Sequence, residues 1–300
     1  MHEAKSGPPA LHTILLTAAA MVAFAANSLL CRLALQHATI DAASFSSIRL
    51  ISGALMLTLV IRLRSGRGLP TRPDWLAAAM LFAYVGFFSF AYLTLSAGTG
   101  ALILFGAVQV TMFSAGLRAG EAFRPIAWLG LALTIAGFVY LVSPGITAPA
   151  PLGAALMATA GVAWGIYSLR GRGSASPLGA TASNFLRAAP MALALSALLY
   201  GSAHATPTGI LLAVTSGALT SGIGYVIWYA ALNGLSAMRA ATVQLSVPLI
   251  AAFGGVLLLS ESVTPRLAVA SAAILGGIAL VLSSRTRGAR AHGSRRRTAE

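Results

Sequence analysis

The chain is 300 residues long, 57% hydrophobic and only 9% charged, with a formal net charge of +14. A water-soluble domain carries roughly 25% charged residues, so this composition excludes a surface made for water and calls for lipid around most of the chain. The single cysteine, Cys31, excludes an intrachain disulfide, and the six acids (Glu3, Asp41, Asp74, Glu121, Glu261 and Glu300) fall in termini, connections or helix edges.

Apolar runs bounded by Gly, Pro and Arg predict membrane helices at 11–35, 44–62, 74–95, 100–118, 124–143, 152–170, 178–200, 207–231, 238–259 and 265–284. In the first, Ala23-Phe24-Ala25 imitates a signal-peptide cleavage site, but the apolar run continues to Leu35 and the segment is read as retained. The connections are short and rich in breakers, among them Pro70, Pro73, Ser143-Pro144-Gly145, Pro149, Pro151, Pro177 and Pro207. Spans of about 20 residues fill the chain and leave no room for a soluble domain. The fold class is therefore an all-α integral membrane protein with ten transmembrane helices.

Charge sets the expected orientation, because Lys and Arg collect on the cytoplasmic side. With the N-terminus inside, the inner segments hold Lys5, Arg62, Arg64, Arg67, Arg72, Arg118, Arg124, Arg170, Arg172, Arg239 and six tail arginines, 16 of the 20 basic residues. Both termini are then cytoplasmic. The tail, with Arg285, Arg287, Arg290, Arg295, Arg296 and Arg297, reads as a topology anchor attracted to anionic lipid, not as a nucleic-acid surface.

The halves match at a nearly constant offset. Val22-Ala23-Phe24 pairs with Val162-Ala163-Trp164 and Ser28-Leu29 with Ser168-Leu169 at 140, while Arg49 pairs with Arg187 at 138. Glu121 followed by Pro125 pairs with Glu261 followed by Pro265, again at 140. Five helices is an odd number, so the second repeat enters the membrane from the opposite side. The expected organisation is a cytoplasmic N-terminus (1–10), a first five-helix repeat (11–143), a periplasmic linker (144–151), an inverted second repeat (152–284) and a basic cytoplasmic tail (285–300).

The paired arginines, Ser176-Pro177, Gly120-Glu121, Ser260-Glu261 with their following prolines, and Pro248 resemble the drug/metabolite transporter superfamily in its ten-helix EamA form. Within it, the chain is similar to bacterial amino-acid exporters of the YddG kind. The family pattern has a proline in both the fourth and ninth helices; here Val108 stands opposite Pro248, so the two halves are expected to flex unequally. The resemblance implies a multi-pass bacterial inner-membrane protein that carries a small molecule.

Arg49 and Arg187 are the basic residues well inside predicted spans, and two readings stay open for each: satisfying nearby carbonyls, or binding a substrate carboxylate. Tyr84, Phe88 and Tyr92 recur on one helical face. Tyr92 and Tyr229, near helix ends, read as interfacial aromatics, whereas Tyr84, Trp164, Tyr167 and Trp228 are candidates to line a cavity. Asn27, Gln109, Thr111, Asn184, Thr242, Gln244 and Ser246 either bond between helices or face the same cavity. Pro248 is expected to free the Gln244 carbonyl and, with Gly222 and Gly224, to form a hinge. No strand precedes Gly222-Ile223-Gly224, so it is no nucleotide loop.

An intramembrane enzyme would need paired acids, a His-Glu-x-x-His site or a serine beside a base at depth. The sequence offers none of these, and no cofactor or metal is expected. A proton-coupled exporter of cationic drugs needs a membrane-embedded acid, which residues 11–35 lack. The remaining expectation is alternating access for amino acids, hydrophobic or aromatic ones first, with facilitated diffusion a serious option. Drugs or other neutral metabolites are the alternative cargo, and a non-transporting membrane scaffold is the alternative of another class.

Overall fold

The computed structural model describes residues 10–65, 73–120, 123–145, 147–171, 176–232, 235 and 243–284. Glu121, Thr242, Lys5, Arg67, Arg72, Arg172, Arg239 and the basic tail lie outside these residues. The described helical spans are α1 (Ala10–Gln36), α2 (Ala42–Ser65), α3 (Trp75–Ala91), α4 (Ala97–Arg118) and α5 (Pro125–Val142), then α6 (Pro151–Gly171), α7 (Pro177–Leu198), α8 (Pro207–Leu232), α9 (Ser246–Leu259) and α10 (Pro265–Ser284). Seven of them, α1, α2, α4, α5, α6, α8 and α10, are long and apolar enough to cross a membrane. α3 and α9 are apolar but shorter, at 17 and 14 residues. α7 is long, but Asn184, Arg187 and Pro190 lower its hydropathy.

Local chemistry sets the helix starts. Asp74 accepts from the Ala77 N–H at 2.9 Å to cap α3, and the Ser96 and Thr206 hydroxyls do the same for α4 and α8. Proline opens α5, α7 and α8, where its missing N–H costs no helical bond.

The packing partners come in exchange-related sets. α3 packs on α6 as α8 packs on α1, α4 on α6 as α9 on α1, and α3 on α7 as α8 on α2, while α2–α7, α4–α9 and α5–α10 pair directly. Exchanging the first five helices with the last five maps these contacts onto one another, whereas α4 also meets α1, α5 and α10 without a matching set around α9. The α5–α10 crossing is made by small residues: a Cβ on Gly130 of α5 would lie 2.5 Å from the Gly277 carbonyl of α10, so only glycine lets these backbones meet. Leu129 and Leu133 of α5 and Phe253 and Leu257 of α9 face outward, as an apolar surface bathed in lipid requires.

Three expectations are corrected. α8 is not one continuous α-helix: Thr215–Ile223 forms a nine-residue π-helical segment between two α-helical arms. The helix expected over 238–259 is interrupted: Val243 is helical, Gln244 and Leu245 form a turn, and α9 runs from Ser246, which puts Pro248 in the first turn after that break. The Gln244 carbonyl that Pro248 cannot engage accepts instead from the Val247 N–H at 3.1 Å, so no freed carbonyl is left there. Finally, α3 ends at Ala91, and Tyr92 is fully buried with its hydroxyl donating to the Ala97 carbonyl, not sitting in an interfacial belt.

Candidate functional site

The polar centre of the bundle is built around one carbonyl. Asn27 of α1 is buried, and its Oδ1 accepts from the Thr220 hydroxyl at 2.7 Å, the Ser216 hydroxyl at 2.9 Å and the Ser221 hydroxyl at 3.3 Å. All three donors come from the π-helical segment of α8. An α-helix would swing positions five apart well round its axis, whereas the wider π turn, with its i→i+5 bonding, brings them to one face. The repeated Thr215-Ser216-Gly217 and Thr220-Ser221-Gly222, five residues apart, is the signal in the sequence. Gly217 permits the approach to α2, since a Cβ there would collide with the Arg49 carbonyl and the Ser52 hydroxyl.

Arg49 of α2 joins this cluster. It is 1% exposed. Its Nε donates to the Ser221 hydroxyl at 3.3 Å and its Nη2 to the Tyr84 hydroxyl at 3.2 Å, while Nη1 is buried without a hydrogen-bond partner. The guanidinium lies 5.0 Å from the Phe88 ring centre and 5.5 Å from that of Tyr84, close enough for a cation–π attraction.

An aromatic wall continues from Tyr84 across the interface between the halves. Tyr84 packs at a tilt against Trp164 at 4.8 Å, Trp164 against Tyr167 at 5.3 Å and against Tyr225 at 5.9 Å, and Tyr225 meets Phe24 at 5.8 Å. α1, α3, α6 and α8 thus each contribute a ring. Tyr167 points toward Thr181 and Asn184 of α7, and the Thr181 hydroxyl pairs with that of Tyr229 at 2.8 Å.

The structure thereby brings together five of the residues singled out from sequence: Asn27, Arg49, Tyr84, Trp164 and Tyr167. It places others apart. Trp228 meets Phe24 edge-on at 5.8 Å within an apolar cluster of Ala20, Met21, Ala101 and Val247. Arg187 turns back along α7 to the Ser183 carbonyl and hydroxyl, and its guanidinium lies 5.8 Å from the exposed Trp75 ring. Gln109 is half-buried on α4, and Gln244 and Ser246 flank the start of α9, where the Ser246 hydroxyl donates to the Val243 carbonyl at 2.7 Å. Gly222 and Gly224 lie at the end of the π segment against Met56 and Ala23. Ser216, Thr220, Ser221, Phe24 and Tyr225 were not among the candidates.

Both ends of the bundle carry ion pairs. At one, Asp74 pairs with Arg170 at 2.9 Å. Burial raises the Asp74 carboxyl, but the Ala77 N–H and Arg170 outweigh it and hold the group below its ordinary value. At the other, Arg32 Nε donates to Glu261 at 3.2 Å, its Nη1 donates to the Tyr92 carbonyl at 3.0 Å, and the Glu261 carboxylate accepts from the Ala97 N–H at 2.9 Å. A cavity of about 420 Å³ opens over this pair, lined also by Thr94, Ser96, Thr99 and Thr264. Arg266 closes the same end by donating to the carbonyls of Leu141 and Ser143.

Apolar outer faces and paired halves around a polar, ring-lined centre define a multi-pass membrane protein. Comparison with known proteins agrees. Residues 151–283 match the EamA-like transporter family, and the chain is 52% identical over 277 residues, 92% of its own length and 96% of the relative's, to the uncharacterized protein PA1977 of Pseudomonas aeruginosa. A crystal structure of a protein sharing 22% identity superposes with a TM-score of 0.63 over 90% of this chain and 98% of its own, which bears on the fold. The chain belongs to the EamA-like transporter family, within the drug/metabolite transporters, and is a transporter of small molecules rather than an enzyme.

Proposed function

We propose that the protein moves hydrophobic or aromatic amino acids, or closely similar metabolites, by alternating access and without obligatory proton coupling. The observation that carries the reading is the cluster itself. Asn27, Arg49 and Tyr84 from the first half meet Trp164, Tyr167, Ser221 and Tyr225 from the second, where inverted-repeat transporters place their substrates. Rings supply faces for an apolar body; hydroxyls and the guanidinium supply polar contacts. The described acids lie at the two ends, which disfavours proton exchange through the centre.

The π segment with Gly222 and Gly224, and the break before α9 with Pro248, are the hinges we assign. Arg62, Arg64, Arg118, Arg124 and Arg170 gather at the end that holds Asp74, which supports a cytoplasmic placement of that end and of both termini in a bacterial inner membrane. Uptake of labelled phenylalanine, methionine and threonine into proteoliposomes, with and without a proton gradient, tests the reading. Saturable flux without a gradient supports a facilitator. Verified folded protein that carries none of the three removes the amino-acid reading and leaves another neutral metabolite or a drug.

A further inference from the structure

Arg49 is a buried cation whose charge no described group balances. Two of its nitrogens meet neutral hydroxyls, from Ser221 and Tyr84, and the third, Nη1, has no partner. The described acids are all engaged elsewhere: Asp41 with the Ser44 and His204 N–H groups, Asp74 with Arg170, and Glu261 with Arg32 and the Ala97 N–H. The faces of Phe88 and Tyr84 attract the guanidinium but do not neutralise it. A charge left unpaired at membrane depth is heavily penalised, so its retention points to an anion that arrives from outside the chain.

The surroundings also say what that anion need not carry. A ligand ammonium group needs an acceptor, and the amide carbonyl that shares Ser221 with Arg49, Asn27 Oδ1, already accepts from three hydroxyls. No described carboxylate faces the cluster. Arg187 is turned toward Trp75, and Arg32 and Arg266 are committed to carbonyls at one end, so a single positive site serves a single negative group. Beyond it the walls are rings, Tyr84 and Trp164 first.

We infer that Arg49 docks the carboxylate of the transported molecule and that this group, not an ammonium, is the one the site requires. The ligand class is then organic monocarboxylates with an aromatic or apolar body, of which zwitterionic amino acids are one subset. The inference rests on the transport reading above and narrows it. In this structure the rings close directly on Arg49, so the carboxylate reaches Nη1 as the halves part.

The test is competition against labelled phenylalanine, on the full-length protein in proteoliposomes, by two analogues. 3-Phenylpropionate keeps the carboxylate and lacks the ammonium; phenethylamine keeps the ammonium and lacks the carboxylate. 3-Phenylpropionate is expected to compete like phenylalanine itself and phenethylamine about 10- to 100-fold more weakly, the range for a lost hydrogen bond to a charged group. Arg49→Lys should keep the preference and Arg49→Met should erase it. Phenethylamine competing as well as 3-phenylpropionate on the wild-type protein overturns the inference, as does a preference that survives in Arg49→Met. Phenylalanine carried with its carboxylate dispensable defeats this inference alone; labelled 3-phenylpropionate carried where phenylalanine is not defeats the amino-acid reading alone; and neither carried defeats both.

Discussion

Arg32 and Glu261 tie the first helix to the last connection of the chain, with Nε 3.2 Å from Oε1 in a pair that is 17% and 12% exposed. The same carboxylate caps α4 through Ala97, and the same guanidinium takes the Tyr92 carbonyl at the end of α3. Tyr92 in turn packs edge-on against Phe88 at 4.7 Å, and Phe88 lies under Arg49. That end and the central cation are therefore linked through the Tyr92 and Phe88 rings.

If that cluster is a cooperative unit, its parts must be coupled energetically. Arg32→Ala and Glu261→Ala are each expected to lower stability by about 1.5–3 kcal/mol, the range for hydrogen bonds to charged groups. The double variant should lose clearly less than the sum, with a coupling of about 1 kcal/mol or more for residues in direct contact. Thermal unfolding in detergent gives the cycle. Strict additivity would show that Glu261 acts only as a cap for α4 and that Arg32 contributes independently.

Asn27 can be changed in two instructive ways. Asn27→Ala strips the shared acceptor from Ser216, Thr220 and Ser221 and should cost about 1–3 kcal/mol for the buried groups left unsatisfied. Asn27→Asp keeps an acceptor and adds a negative charge beside Ser221, which also accepts from Arg49. That variant should be no less stable than the wild type and should lose substrate competition, because Arg49 then has its counter-charge within the protein. A wild-type uptake curve for Asn27→Asp would argue against Arg49 as the docking point.

Glycine positions separate packing from helix propensity. Gly217→Ala drives a methyl into the Arg49 carbonyl and Ser52 and should destabilise by about 1–3 kcal/mol, as overpacked cores do. Gly276→Ala meets open space and should be neutral or stabilising by up to about 1 kcal/mol from helix propensity alone. Paired unfolding curves in one detergent read both. Equal effects would mean that the α2–α8 crossing relaxes around the added methyl.

Much of the architecture was readable because lipid imposes it: spans of fixed length, with most breakers and charge in the connections or at helix ends. The offset of 140 between Glu121 and Glu261 was legible for the same reason, since each is followed by a proline four residues on. The site was only half legible. Arg49 and Arg187 look alike in a one-dimensional pattern, yet one is enclosed by Tyr84 and Phe88 and the other folds back on Ser183 toward Trp75. That difference is set by which neighbour each helix meets. Tyr92 misled because distance along a helix predicts depth only when the neighbouring connection does not cover the end. Ser216 and Ser221, five residues apart, do not share a face at the α period, which hides their cluster with Thr220 from a one-dimensional reading. The five-residue Thr-Ser-Gly spacing makes sense only on a π turn.

Asp74 combines two interactions that substitution can pull apart. It caps α3 through the Ala77 N–H at 2.9 Å and pairs with Arg170 at the same distance. Asparagine is as good a cap as aspartate, so Asp74→Asn should lose only the exposed ion pair, about 0–1 kcal/mol. Asp74→Ala loses the cap as well, about 0.5–2 kcal/mol more. The pH dependence follows from the sign of the shift. Burial alone raises this carboxyl, but the Ala77 N–H and Arg170 hold it below its ordinary value when folded, so the folded state binds fewer protons than the unfolded state as pH falls. Its contribution is complete above the unfolded-state value and is lost as pH falls through the folded-state one. Melting temperatures of the wild type should therefore decline on acidification through the carboxylate range more steeply than those of Asp74→Asn. Parallel declines would assign the acid sensitivity to Asp41, which Ser44 and His204 likewise hold below its ordinary value against the upward push of burial.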